Sequence, residues 1–211
     1  MGLKTSRGRH WTTATVWQVQ DYELRTPVQL ESVVDRALEV MLAEPQGPVY
    51  LTLPREVLAS PPSNLTVTSP SRRQVRGVRM PDPDRIEEAA RILARASSPL
   101  ILVSASGRDP RAVGALVELA EAGGIAVVEA DPIYLNFPHD HPLHLGYNQS
   151  GASDPALADA DAVLVVEADV PWYPAVQKPP AGAPIIHLGI DPFFSRYPMR
   201  SYPCDVPIAA T

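Results

Sequence analysis

Between Pro99 and Ala130 an apolar run, Leu100 to Val103, passes through a small polar turn around Gly107 into an amphipathic stretch. That stretch ends at Gly123-Gly124, and a second apolar run, Ile125 to Ala130, follows directly. Pro110 suits a first helical turn, because it lacks only a donor that the helix would leave unpaired. Val113, Leu116, Val117 and Ala120 recur at helical spacing, and the paired glycines stop the helix. Strand, helix and strand at this length form a βαβ unit, which demands a parallel sheet and a right-handed crossover.

The second half of the chain repeats the theme. Ala162 to Ala168 and Pro184 to Ile190 are near-continuous apolar runs without alternation, the mark of strands covered on both faces. Asp84 is placed to cap a preceding helix, with Glu87 three residues on and Ile86, Ala89, Ala90 and Leu93 on its inner face. Asp161 closes a short helix from Asp154 capped by Ser153, and one more short strand is expected over Ile208 to Thr211. Asp131 to Ser153, holding Pro132, Pro138, Pro142, Gly146 and Gly151, reads as irregular. The expectation is a three-layer, doubly wound α/β domain.

The N-terminal part is less complete. Residues 1–25 show no clean period, although Trp11, Val16, Trp17, Val19, Tyr22 and Leu24 need burial. Thr26-Pro27-Val28-Gln29 reads as a helix start with a capping box, and an apolar stripe runs from Leu30 to Leu42 until Pro45 and Gly47 end it. Pro48 to Pro54 is a short strand with Val49, Leu51 and Leu53 on one face. One helix and one lone parallel strand cannot bury each other. Residues 1–60 are therefore expected to be the end of a domain whose start is missing. Residues 61–82, rich in Pro, Ser and Arg, read as a linker, and 83–211 as a second domain that stops mid-pattern.

Charge narrows the function classes. The net charge is −6, which excludes nucleic-acid binding by a broad basic face; Arg72, Arg73, Arg76 and Arg79 form one local cluster, read as a solvated connection. Cys204 is the only cysteine, so no internal disulfide forms and a reducing compartment fits. No apolar segment approaches the roughly 20 residues of a membrane span, and the N-terminus lacks a signal-peptide core, so a cytoplasmic location is expected. The 24 prolines, about twice the usual share, fall at strand ends and connections, as sharp α/β turns require.

Two stretches carry a family resemblance. Gly47-Pro-Val-Tyr-Leu-Thr-Leu-Pro-Arg-Glu-Val-Leu58, with Asp21-Tyr-Glu-Leu-Arg-Thr-Pro27 before it, resembles the segment that closes the pyrimidine-binding domain of thiamine-diphosphate enzymes of the acetolactate synthase type. The order from Pro83 to Pro192 resembles their Rossmann-like, DHS-like central domain: helix, Pro-Leu-Ile-Leu-Val strand, His141-Pro-Leu-His-Leu-Gly146 loop, Asp159-Ala-Asp-Ala-Val-Leu-Val-Val166 and Ile186-His-Leu-Gly-Ile-Asp-Pro192. The resemblance implies a multi-domain enzyme using thiamine diphosphate and Mg2+ on 2-oxo acids or their derivatives, as a carboligase or a decarboxylase. The central domain would join the catalytic domains and support a homodimer or homotetramer. The activating glutamate and the Gly-Asp-Gly metal motif of the family belong to regions not matched here, and Gly-Asp-Gly occurs nowhere in the sequence. The polypeptide alone is therefore expected to be inactive, with no catalytic residue of its own and the pyrimidine- and diphosphate-binding domains as its partners.

Some relatives hold FAD or an ADP unit in the central domain. The candidate nucleotide-binding residues are Ser106, Gly107 and Arg108, in a turn before a helix N-terminus, with Gly146 in the family's loop and Asp191 placed for a ribose hydroxyl. One glycine instead of Gly-x-Gly-x-x-Gly makes a poor dinucleotide loop. Where FAD-holding relatives carry an Arg-Phe-Asp-Asp-Arg-like run, this chain has Glu167-Ala-Asp-Val-Pro-Trp-Tyr-Pro174, with two prolines and no arginine; FAD is not expected. Trp172 and Tyr173 are read as packing surface. His139, His141 and His144 crowd one loop, but with Asp140 as the only local carboxylate no metal site is expected. The alternative to an enzyme fragment is a free-standing module holding FAD, NAD or ADP; a purely structural interaction protein is a third reading.

Overall fold

A computed structural model of the chain describes residues 20–61, 79–148 and 153–211, apart from 196, 198 and 201. Trp11, Val16, Trp17, Val19, Ser63 to Arg76 and Gly151 lie outside the described residues, and most of the expected linker with them. The chain divides into two compact units, residues 1–77 with 195–200, and 78–194 with 201–211.

In the first unit, β1 (Gln20–Glu23) pairs in parallel with β2 (Val49–Thr52), Tyr22 opposite Leu51, and the Leu24 amide extends the ladder to the Thr52 carbonyl. The expected lone strand thus has a partner. Gln-Asp-Tyr-Glu has one apolar residue, Tyr22, which is exposed and not buried as expected, while Leu24 beyond it is buried; so short a polar stretch is invisible to pattern reading. A 3₁₀ turn over Pro27–Gln29 leads into α1 (Leu30–Leu42), whose residues are none of them fully buried, and a short α2 (Arg55–Leu58) follows. Thr26 makes no side-chain cap, so the expected capping box is absent; Leu53 is exposed.

The second unit is a six-stranded parallel sheet in the order β5-β4-β3-β6-β7-β8. Its strands are β3 (Pro99–Val103), β4 (Ala126–Ala130), β5 (His144–Asn148), β6 (Ala162–Val166), β7 (Ile185–Gly189) and β8 (Val206–Ala209). Successive side chains point to opposite faces of a strand, and the core divides accordingly. Ile101, Val103, Val127, Leu164, Val166, Ile186 and Ile208 meet α3 (Pro83–Arg95) and α4 (Pro110–Gly123) through Ala89, Ile92, Leu93, Leu116 and Ala120. Leu100, Leu102, Val128, Val163, Val165 and Ile185 meet Leu157 of the short α5 (Pro155–Asp159), together with Trp172 and Tyr202, on the other face. Helices on both faces confirm the doubly wound, three-layer expectation.

Four local readings are corrected. The cap of α3 is Asp82, which accepts from the Asp84 amide, because Pro83 takes the first helical position. The helix is also rotated from the expected phase: Ile86 and Ala90 are exposed, while Ala89, Ile92 and Leu93 face the sheet. The cap of α5 is Asp154, not Ser153, and the stretch read as irregular contains the edge strand β5. Gly124, at φ 60°, ends α4 in the left-handed conformation that glycine adopts without strain.

Asp161 clamps the entry to the sheet. Its carboxylate accepts from the amides of Ser97 and Ser98 at 2.7 and 2.9 Å, tying the start of β6 to the start of β3. Those amides, Ser97 first, favour the ionised form and hold its pKa below the usual carboxylate value of 3.8. A lowered folded pKa means stabilisation that is complete above the unfolded value and is lost as pH falls through the folded one. Asp161→Asn is expected to lower the urea midpoint at pH 7, with the gap to wild type narrowing below about pH 4. An equal gap at pH 7 and pH 3 would mean that the charge plays no part.

Candidate functional site

In open parallel sheets, ligands bind outside the carboxyl ends of the strands, where the strand order reverses. Here the reversal falls between β3 and β6. The chain leaves the strands through Ser104, Asp131, Glu167 and Ile190, and two of these exits, Asp131 at φ 44° and Glu167 at φ 46°, are left-handed without being glycine. Non-glycine residues hold such conformations only when their surroundings over-determine them. The partners are visible. Asp131 accepts from the Tyr173 hydroxyl at 2.7 Å, and Glu167 accepts from the Ile190 amide at 2.7 Å while facing Arg108 at 3.5 Å.

The turn between β3 and α4 is a 3₁₀ turn, Ser106–Arg108. Gly107 is required there: a Cβ on it would stand 2.0 Å from the Leu135 carbonyl oxygen. Its amide donates to Asn136 Oδ1 at 3.0 Å, and Ser106 Oγ lies 3.3 Å from the same oxygen. The amides of Arg108 and Asp109 close the turn on Ala105 and Ser106, and those of Arg111 and Ala112 go to the Asp109 side chain and carbonyl. Pro110 has no amide to offer. From Gly107 to Ala112, then, each amide is already engaged. Arg111 grips Asp109 with both Nε and Nη2, the latter at 2.6 Å, which with the Arg111 amide holds that carboxyl down at about 2.

Asn136 is the hub behind this turn. It is fully buried, and its Nδ2 donates to Ser104 O and Tyr134 O, both at 2.8 Å, and lies 3.0 Å from Glu129 Oε1. Its own amide donates to the same Glu129 oxygen at 3.2 Å. Glu129, on β4, is 1 % exposed. Its second oxygen lies 3.1 Å from His139 Nε2 and 3.3 Å from His144 Nε2. The two imidazoles stack at 5.0 Å with 12° between their planes. His141, the third histidine of the loop, turns away: its Nδ1 accepts from the Leu143 amide and its Nε2 faces Glu121 at 3.3 Å. An open cleft of about 440 Å³ begins beside Glu129 and His139, walled by Pro132, Ile133, Tyr134, Leu135 and Tyr147.

Of the residues singled out from sequence, Ser106, Gly107 and Arg108 share the turn, and Asp191 lines a crevice of about 10 Å³ with Glu167, Gly189 and Phe194. That is room for about one water. Gly146 stands apart on β5, two strands from β3, at φ +102° in a break of register where Val127 pairs with His144 but Glu129 with Tyr147. The bulge accounts for that glycine. Sequence reading missed Glu129 and Asn136. A carboxylate inside the apolar run Ile125–Ala130 was the available signal, since glutamate is almost never fully buried unless paired.

The chain matches the model of the thiamine pyrophosphate enzyme, central domain, over residues 86–210. It is 26 % identical over 171 residues to a 2-hydroxyacyl-CoA lyase 1 from Dictyostelium discoideum, a match covering 78 % of this chain and 28 % of that protein. An acetolactate synthase from Arthrospira platensis is 25 % identical over 181 residues, 81 % of this chain and 31 % of the relative. Among solved structures, the benzoylformate decarboxylase from Polynucleobacter necessarius is similar with a TM-score of 0.69 and 26 % identity, over 91 % of this chain and 36 % of that one. The chain thus spans about three-tenths of the curated relatives' length.

Proposed function

This chain belongs to the thiamine pyrophosphate enzyme family, and on that premise we propose that its six-stranded unit is the bracing central domain of a thiamine-diphosphate-dependent carboligase or decarboxylase. The whole enzyme would act on 2-oxo acids or their derivatives, resembling acetolactate synthase, with residues 1–60 as the end of the pyrimidine-binding domain. Thiamine diphosphate, when bound, supplies the electron sink for a carbanion formed next to a carbonyl. The residues described here do not fit that group or its Mg2+. No Gly-Asp-Gly exists in the sequence to hold a metal-bridged diphosphate, and the crevice at the strand-order reversal has about 10 Å³ of free space. The reaction would reside in the pyrimidine- and diphosphate-binding domains, and this domain would position them.

The observation that carries the bracing role is the engagement of each amide from Gly107 to Ala112, where a nucleotide-holding domain keeps amides open for phosphate. Pro171 and Pro174 add no donors. Ser106, Gly107 and Arg108 then serve the turn, Gly146 the bulge, and Asp191 the lip of the crevice; FAD, NAD and ADP are not its ligands. Exposed Ile133, Leu135, Leu145 and Tyr147 support an oligomer, a homodimer or homotetramer of the intact enzyme. No helix among the described residues is long and apolar enough to cross a membrane. A cytoplasmic location agrees with Cys204 being the single cysteine of the sequence.

The purified chain is expected to show no flavin absorbance, to release no nucleotide on denaturation, and to give no saturable heat on titration with thiamine diphosphate and Mg2+. A flavin band or a released adenine nucleotide would replace bracing by nucleotide binding. Saturable cofactor uptake would place catalytic function in the chain itself.

A further inference from the structure

We propose that Glu129, His139 and His144 form a binding site for a divalent transition metal, zinc first among them, whose open coordination position faces the cleft beside β4. The donors are one carboxylate oxygen and two imidazole nitrogens, all within 4.8 Å of one another. Donors around a tetrahedral ion, each about 2.0–2.1 Å from it, stand about 3.3 Å apart. Glu129 Oε2 lies 3.1 and 3.3 Å from the two Nε2 atoms, close to that spacing, and the imidazoles, which stack at 12°, would turn to bring both nitrogens onto one ion.

A buried histidine–glutamate pair is the plain alternative, and it accounts for only part of the arrangement. His139 Nε2 is within hydrogen-bond distance of Glu129 Oε2. His144 takes no hydrogen bond from it: its side chain is 6 % exposed, and its Nε2 is buried without a hydrogen-bond partner although it stands 3.3 Å from the same carboxylate oxygen. A buried nitrogen left without a hydrogen bond is unfavourable. A cation shared by all three donors removes that cost and neutralises the carboxylate at once.

The surroundings match a metal site in two further respects. Metal-ligating carboxylates are themselves held by outer hydrogen bonds, and here Glu129 Oε1 is fixed by the amide and Nδ2 of Asn136. Three protein ligands of His and Glu type leave a fourth position for water or a small ligand. Glu129 and His139 both line the 440 Å³ cleft, whose Ile133, Tyr134, Leu135 and Tyr147 walls suit a small, partly apolar molecule carrying an oxygen or sulfur donor. This inference does not depend on the bracing role.

The test is calorimetric titration of the chelator-stripped full chain with Zn2+, paired with Co2+ titration followed by visible absorbance. The expected result is one equivalent bound, with proton release and the intense visible bands of tetrahedral Co2+. His139→Ala, whose imidazole is exposed and whose folding is checked by circular dichroism, should weaken uptake at least about tenfold, and Glu129→Gln likewise. His141→Ala, outside the three donors, should leave it unchanged. Uptake weaker than about 0.1 mM, or uptake indifferent to His139→Ala, would overturn the site.

Discussion

Gly107→Ala is expected to destabilise the sheet domain by about 3 kcal/mol or more, read as a fall in the urea midpoint without a change in slope. The added methyl would meet the Leu135 carbonyl oxygen at 2.0 Å and its carbon at 2.7 Å. Both are backbone atoms, so no side-chain rotation relieves the clash. Moving Leu135 also moves Asn136, the next residue, and with it the hydrogen bonds to Gly107, Ser104 and Glu129. Gly114→Ala, on the same connection but with nothing within 4 Å of the new methyl, should stabilise by about 0.5–1 kcal/mol, because alanine loses less entropy in a helix. If the two substitutions behaved alike, the close approach of the 134–136 segment to the turn would be refuted.

Asn136→Leu is expected to cost a further class of energy, about 3–5 kcal/mol, through groups left without partners. The substitution fills a similar volume but abandons the Gly107 amide and the Ser104 and Tyr134 carbonyls, and it removes one of two donors to Oε1 of a carboxylate that is 1 % exposed. Asn136→Asp separates packing from polarity. It keeps the shape and sets a second carboxylate beside Glu129, so its cost relative to wild type should be large at pH 7 and shrink as pH falls and the new acid takes up a proton. Urea midpoints at pH 7 and pH 5 decide it. A pH-independent cost would show that the lost Nδ2 donors, not the added charge, decide the outcome at position 136.

How much of this was legible depends on where each signal lies. Strands β3, β4, β6 and β7 are contiguous apolar runs because both faces are covered, and their order with α3 and α4 was readable from periodicity and capping residues alone. The first strand and β5 were not. Gln20–Glu23 is polar, and His144–Asn148 is an edge strand whose bulge at Gly146 breaks the alternation. Asp84 and Asp82 both flank Pro83, and only the helix geometry shows that the proline, not the acid, sets the start. The site was half visible. The histidines stood out as a cluster, but their carboxylate comes from β4, ahead of the loop, and Asn136 joins that strand to the distant Ser104–Gly107 turn, which no local pattern connects.

The strand order also bears on how the domain assembles in time. Every pairing but one joins consecutive strands: Val127 with His144, Leu100 with Ala126, Val163 with Ile185, Ile186 with Val206. The exception is β3 against β6, Leu100 with Val163, which closes the longest loop in the sheet. Each doubling of a loop adds about 0.6 kcal/mol of closure entropy, and long-range parallel pairing is slow for that reason. The two three-stranded halves are therefore expected to nucleate separately and meet last along this seam, so that mutations in Ile101 or Leu164 slow folding less than they hasten unfolding. The line where the chain changes direction would then be both the place where the exits converge and the final joint to close.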